Sequence, residues 1–211
     1  TGAASAGPGA LAGALRFTTK NASDLLRPQE QAGVLLKGAH QSVNGGNKFS
    51  ASAFGRFGAN LDWLVSQTAL NSGDYSDGNG NRVANTAVKS RASFAKLGGT
   101  LGAAQQWQLT HERHQDEGLR NQRTNLLLAG FNPGQRQRTE RESSALHYRF
   151  APDNPLLAVT ATVYQNENAI LLAQGTPNFE RDGTHSYGMN LANVMQLDKH
   201  RITVGFDYRH D

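Results

Sequence analysis

Short and long connections alternate along this chain, and that alternation constrains the fold more than any single motif. From about Gln31 to the C-terminus, apolar residues recur at every second position in short runs separated by turn-forming residues. This is the period of a strand with one apolar face. The clearest run sets Leu157, Val159, Ala161 and Val163 against Ala158, Thr160, Thr162 and Tyr164. Phe49–Phe57, Leu61–Val65, Trp107–His111, Leu146–Phe150, Tyr187–Leu191 and Ile202–Tyr208 repeat the pattern. Phe54 and Leu64 break the polar side of their strands, and the stretch 91–99 alternates poorly. About nine strands are predicted. After an opening hairpin at Asn44-Gly45-Gly46-Asn47, short turns are expected near residues 58, 103, 153 and 199. Long loops are expected over about 73–90, 117–137 and 166–183.

In an antiparallel meander, such spacing puts every later short turn at one end and every long loop at the other. A soluble sandwich also alternates but has no reason to segregate its loops. The predicted fold class is therefore all-β: an antiparallel transmembrane β-barrel, with short turns on one side of a membrane and long loops on the other. Phe57, Tyr148, Phe150, Tyr187 and Tyr208, near strand ends, suit interfacial girdles. Nine is an odd count, and the last strand is still open at Arg209-His210-Asp211. Open edges cannot be satisfied in lipid, so the expectation is a partial barrel belonging to a larger one.

Composition agrees. Of the 211 residues, 37% are hydrophobic and the mean hydropathy is −0.55, with no run near the ~20 apolar residues of a spanning helix. Barrel strands turn only alternate residues to lipid, so low hydropathy does not exclude them. There is no cysteine, hence neither disulfide nor thiolate metal site, which is compatible with an oxidising periplasmic side. The net charge of +4 suits either anionic ligands or a solvated lumen and loops. Thr1-Gly2-Ala3-Ala4-Ser5 is neither basic nor apolar. The leader an exported protein needs is expected to have been cleaved, or to lie upstream.

The stretch ahead of the strands, GPGALAGALRFTTKNASDLL from Gly7 to Leu26, is dense in glycine and alanine. Such composition permits close backbone approach, as a chain lodged in a confined space requires. The string resembles the end of the plug domain in TonB-dependent outer-membrane receptors. Gly7, Gly9, Ala10, Leu11, Gly13, Leu15, Phe17, Thr19, Lys20 and Ala22 fit that pattern. Asn21 stands where the family often carries Asp. The resemblance implies a plug end over 1–24, a linker over 25–30 and the first part of the barrel over 31–211. Such receptors have roughly 22 strands around a plugged lumen.

Three further strings resemble the haem and haemoglobin receptor branch: Ser52-Ala53-Phe54-Gly55-Arg56, Leu157–Tyr164 followed by Gln174-Gly175-Thr176-Pro177, and Val204-Gly205-Phe206-Asp207-Tyr208. The resemblance implies a receptor in the bacterial outer membrane that imports haem, or haem from a haem protein, into the periplasm. Its energy would come from the TonB complex of the inner membrane. Haem would be cargo, with no intrinsic cofactor, and lipid and lipopolysaccharide would surround the barrel. No nucleic-acid partner is expected. A ferric-siderophore receptor of the same fold is the alternative. The branch's haem-ligating histidines are expected outside this stretch, so no residue here is assigned as a haem ligand.

Other motifs carry less chemistry. His111-Glu112-Arg113-His114 lacks the four-residue spacing that lets two histidines on a helix share a zinc ion. On a strand the two rings point to opposite faces. Asp77-Gly78-Asn79-Gly80-Asn81 resembles a calcium loop, but Arg82 and Val88 stand where the turn glycine and bidentate glutamate belong. A polar turn is expected there. The glycines of 7–13 are followed by neither a helix nor a Gly-Lys-Ser/Thr, so they do not make a phosphate loop. No metal site is expected. Arg120, Arg123, Arg136 and Arg138, with Arg141 beside them, are candidate contacts for an anionic ligand such as a propionate, or for lipopolysaccharide phosphates. No nucleophile or acid–base cluster stands out, so a small barrel enzyme is less favoured and no catalysis is expected. A soluble β-sandwich binding module is the remaining rival.

Overall fold

The computed structural model describes residues 18–121, 130–173 and 175–211. They form one nine-stranded sheet in sequence order, every neighbouring pair antiparallel. The strands are β1 (Ala32–Gln41), β2 (Gly46–Phe57), β3 (Leu61–Ser72), β4 (Val88–Leu101), β5 (Gln105–Asn121), β6 (Gly134–Phe150), β7 (Val159–Leu172), β8 (Glu180–Leu197) and β9 (His200–His210). Register is continuous across the sheet. Phe57 pairs with Leu61, Leu61 with Gly99, Gly99 with Trp107, and the row runs on through Tyr148, Ala161 and Leu191 to Phe206.

Side chains in that row and in alternate rows point to one face, and most are apolar. Leu36 is 63% exposed and Phe57 62%, with Val34, Leu109, Val163, Leu191, Val204 and Phe206 also exposed beside them. An uncovered apolar surface of this extent is foreign to a soluble monomer and is what a lipid-facing band requires. Aromatic rings border it. Phe57 stacks on Trp63 with ring centroids 6.1 Å apart. At the opposite border Tyr187 meets Tyr208 at 6.5 Å and His210 at 5.1 Å.

The band cuts obliquely across the hydrogen-bonded rows. It centres near Ala53 on β2 but near Ala192 on β8, although the row through Ala53 reaches β8 at Tyr187. A drift of roughly five residues over six strand gaps, at ~3.4 Å per residue and ~4.8 Å per gap, is a tilt of roughly 30°. Barrel strands lean by a similar angle, about 35–45°.

The expected loops prove shorter. The connections run over 73–87, 122–133 and 173–179, because the strands continue beyond the apolar band. Residues 113–121 of β5 pair in register with 134–142 of β6 although both of their faces are polar. Alternation marks a strand only where one face meets lipid. Beyond the band the backbone ladder persists while the pattern vanishes. Ion pairs take over on the outward side, Lys89–Glu117 at 2.6 Å and Arg181–Glu167 at 3.4 Å among them. The stretch 91–99 lies inside β4, which is paired along its whole length.

Two substitutions on β7 separate the faces. Val163→Lys should cost about 2–4 kcal/mol of barrel stability, the range for a cation moved to the lipid midplane. Thr160→Lys, on the other face, should be near neutral. Urea unfolding of the full-length receptor in lipid vesicles measures both, and equal costs would remove Val163 from the lipid face.

Candidate functional site in the concave face

The other face curls around a polar trough of about 1680 Å³. Arg56, Asp62, Gln108, Glu112, Arg141 and His147 line it, and residues 18–23 enter it from one side. A short 3-10 turn, Ala22–Asp24, follows Asn21. Its entry is fixed by the Asn21 N–H, which donates to Asp24 Oδ2 at 2.7 Å.

The breaks in alternation meet this segment. Phe54 and Leu64, each 6% exposed, form a buried cluster with Ala22 and Leu26, against which Leu25, Leu35 and Phe94 pack. Phe54 and Leu64 are direct partners across β2 and β3. Apolar residues on a polar wall are thus explained by what they cover, and Phe94 gives β4 its poor pattern.

Beside the cluster lies a polar latch that sequence reasoning missed. Lys96, 4% exposed, donates from Nζ to the Thr19 carbonyl and to Asn21 Oδ1, both at 3.0 Å. Gln108 Nε2 donates to the same Asn21 oxygen at 2.8 Å. The carboxylates of Asp24 and Asp62 answer the ammonium charge through space. The available signal was a lysine set between Ala95 and Leu97 in the short apolar run that begins at Phe94. An inward charge there needs a partner, because burying an unpaired one is costly.

Of the plug-end string, Thr19 therefore supplies its carbonyl and Lys20 is exposed. Gly7, Gly9, Ala10, Leu11 and Gly13 lie outside the described residues, as do Arg123 and Gln174. The candidate arginines are not brought together. Alternation sends Arg120 and Arg141 to the trough side and Arg136 and Arg138 outward. The Arg120 guanidinium is taken up by Asp116 at 3.1 Å and by the Ala87 carbonyl. Arg138 pairs with Glu140 at 2.6 Å. Arg141, reaching Glu112 at 4.0 Å, lines the trough. His111 and His114 do take opposite faces. The first meets Ser144 on the lipid side at 3.0 Å and the second Ser90 on the trough side at 2.9 Å.

The connection 73–87 is built on carboxylates that bind backbone. Asp77 Oδ1 accepts from the N–H groups of Asn79 and Asn81, both at 2.9 Å, so the one carboxylate of the calcium-like string is spent on closing the turn. Asp74 Oδ1 accepts from the N–H of Thr86 at 2.9 Å and of Ala87 at 2.8 Å, while Arg82 pairs with its other oxygen at 3.0 Å. The Thr86 bond, helped by Ala87 and Arg82, holds the Asp74 carboxyl below its usual range against the opposing effect of burial.

An antiparallel wall with an exposed apolar face on one side and a polar trough on the other defines a class: part of a transmembrane β-barrel. No family profile matches the chain. The heme transporter BhuA of Brucella ovis is 27% identical over 216 residues, covering 99% of this chain and 32% of the relative. The heme/hemopexin utilization protein C of Haemophilus influenzae is 25% identical over 251 residues, covering 97% and 34%. Among solved structures, the FrpB iron transporter of Neisseria meningitidis (F3-3 variant) superposes with a TM-score of 0.81 at 23% identity over 90% of this chain and 32% of its own. The apoprotein of the F5-1 variant gives 0.77 at 25% identity over 90% and 31%. In sequence and in fold this chain is similar to part of the barrel of these transporters. It spans about a third of the length of the relatives it matches.

The Asp74 knot predicts a pH response. A carboxyl whose folded pKa is depressed contributes stability that is present above its unfolded value, ~3.9, and is lost as pH falls through the folded value. Amide protection at Thr86 and Ala87 should hold from neutral pH to about 4 and fall below it. Asp74→Ala, which has no acceptor, should lose that protection at every pH, and hydrogen exchange measures both.

Proposed function

We propose that the protein is an outer-membrane receptor that binds haem, or a haem protein, outside the cell and imports haem into the periplasm. TonB-coupled energy would drive it. The observation carrying this reading is similarity along 99% of the chain to a protein named a heme transporter, joined by a heme/hemopexin utilization protein over 97%. In this reading residues 1–24 close the plug, 25–30 link it to the wall, and 31–211 begin the barrel. No catalytic role is assigned: the named relatives are transporters and utilization proteins, and haem is cargo.

The two faces support a division of labour. Outward Arg136 and Arg138, beyond the apolar band, would meet lipopolysaccharide phosphates. Inward Arg141 would meet an anionic ligand, because a guanidinium forms a charge-assisted pair with a carboxylate such as a propionate. A ferric siderophore is the competing cargo, favoured by the likeness to a protein titled an iron transporter.

The full-length receptor, purified in detergent and titrated with hemin, should show a saturable Soret change, and cells depending on it should grow with hemin as sole iron source. A folded receptor that gives neither response, but supports growth on a ferric siderophore, would transfer the assignment to siderophores.

A further inference from the structure

The segment 19–26 is held to the wall by two independent contact sets. The polar set joins Lys96 and Gln108 to Thr19 and Asn21. The apolar set buries Ala22 and Leu26 against Phe54 and Leu64. Between them these contacts reach β2, β3, β4 and β5, with Leu35 of β1 packed beside them, and among the described residues they reach no strand beyond β5. Releasing the segment would bare four apolar side chains and strip the Lys96 ammonium of its two oxygen acceptors.

Resting on the transport reading above, we propose that residues 19–26 are a fixed anchor that stays docked on the β2–β5 wall throughout transport. Displacement of the plug then takes place upstream of Thr19. The anchor covers Phe54, Leu64 and Lys96, and the trough left open beside it continues from Gln108 and Glu112 of β5 onto β6–β8. There Arg141, His147, Arg149 and Tyr164 line the trough, and an anionic ligand passes along them. The anchor is uncharged at Asn21, where the family pattern often has Asp. Asn21 accepts from Lys96 and Gln108 through one neutral oxygen, and the charge partners of Lys96 are carried by Asp24 and Asp62 instead.

The test is a covalent lock. This stretch contains no cysteine, and the side chains of Asn21 and Gln108 are in hydrogen-bond contact, so Asn21→Cys with Gln108→Cys in the full-length receptor can be bridged by a short bifunctional thiol reagent. Whole-cell uptake of hemin should show no loss on bridging. Uptake lost on bridging with a permanent reagent, and recovered when a cleavable one is cut, would overturn the anchor, because the segment would then have to move.

A second variant guards against misfolding of the double mutant. Lys96→Met keeps length and removes the donor, and amide exchange at residues 22–26 in the detergent-purified receptor should quicken roughly tenfold or more. Unchanged exchange would show that Lys96 does not hold the segment, and would sink the proposal. If the unmodified receptor takes up no hemin, the failure belongs to the cargo assignment. The exchange experiment then still decides the anchor.

Discussion

Backbone polarity in hydrocarbon is the constraint on which the rest of this structure depends. No water is present in a bilayer core to satisfy an N–H or C=O group, so each strand must find a partner along its membrane-crossing length. A meander meets that demand with the shortest connections, and the nine strands pair only with their sequence neighbours. Once pairing is compulsory, the pleat sorts the side chains. One face takes the apolar residues, the other the polar ones, and the two faces become separate chemical surfaces on a single sheet.

This explains what could be read in advance and what could not. Strand existence, order and facing were legible wherever lipid imposed a period of two, as in Leu157–Val163 or Ile202–Tyr208. The strand ends were not. In β5 the residues after Glu112 carry charges on both faces, so nothing in their order distinguishes a paired strand from a loop. Only partnership with 134–142 reveals the ladder. The same blindness made the arginines of 120–141 look like one loop cluster. On strands, an odd or even position is enough to place Arg141 inside and Arg138 outside.

The positions that disobeyed the pattern were the informative ones. Phe54, Leu64 and Phe94 read as faults in otherwise polar half-strands, yet they converge on a single patch because a chain segment covers them. Lys96 is the complementary fault, a charge in an apolar run that is satisfied by the Thr19 and Asn21 oxygens. A fault has two physical resolutions, a partner or a penalty, and in a wall this regular the partner is the expected answer. The identity of that partner could not be read, since residue 21 and residue 96 are joined only by the fold.

The same logic accounts for the contrast between a TM-score of 0.81 and an identity of 23%. Lipid asks of the outward face only that it be apolar, and the water-filled lumen asks of the inward face only that it be polar. Valine can replace leucine, or serine replace threonine, at most sites with little cost, so the fold outlasts the sequence. Positions that must match a specific neighbour enjoy no such freedom. In this chain they are few: Phe54 and Leu64 under Ala22, Lys96 and Gln108 around Asn21, Asp74 beneath Thr86 and Ala87. Two of these three knots join the wall to something other than its neighbouring strand, and the third orders a long connection. Specific chemistry in a barrel is therefore concentrated where the sheet touches what is not sheet, and function must be sought there before it is sought along the strands.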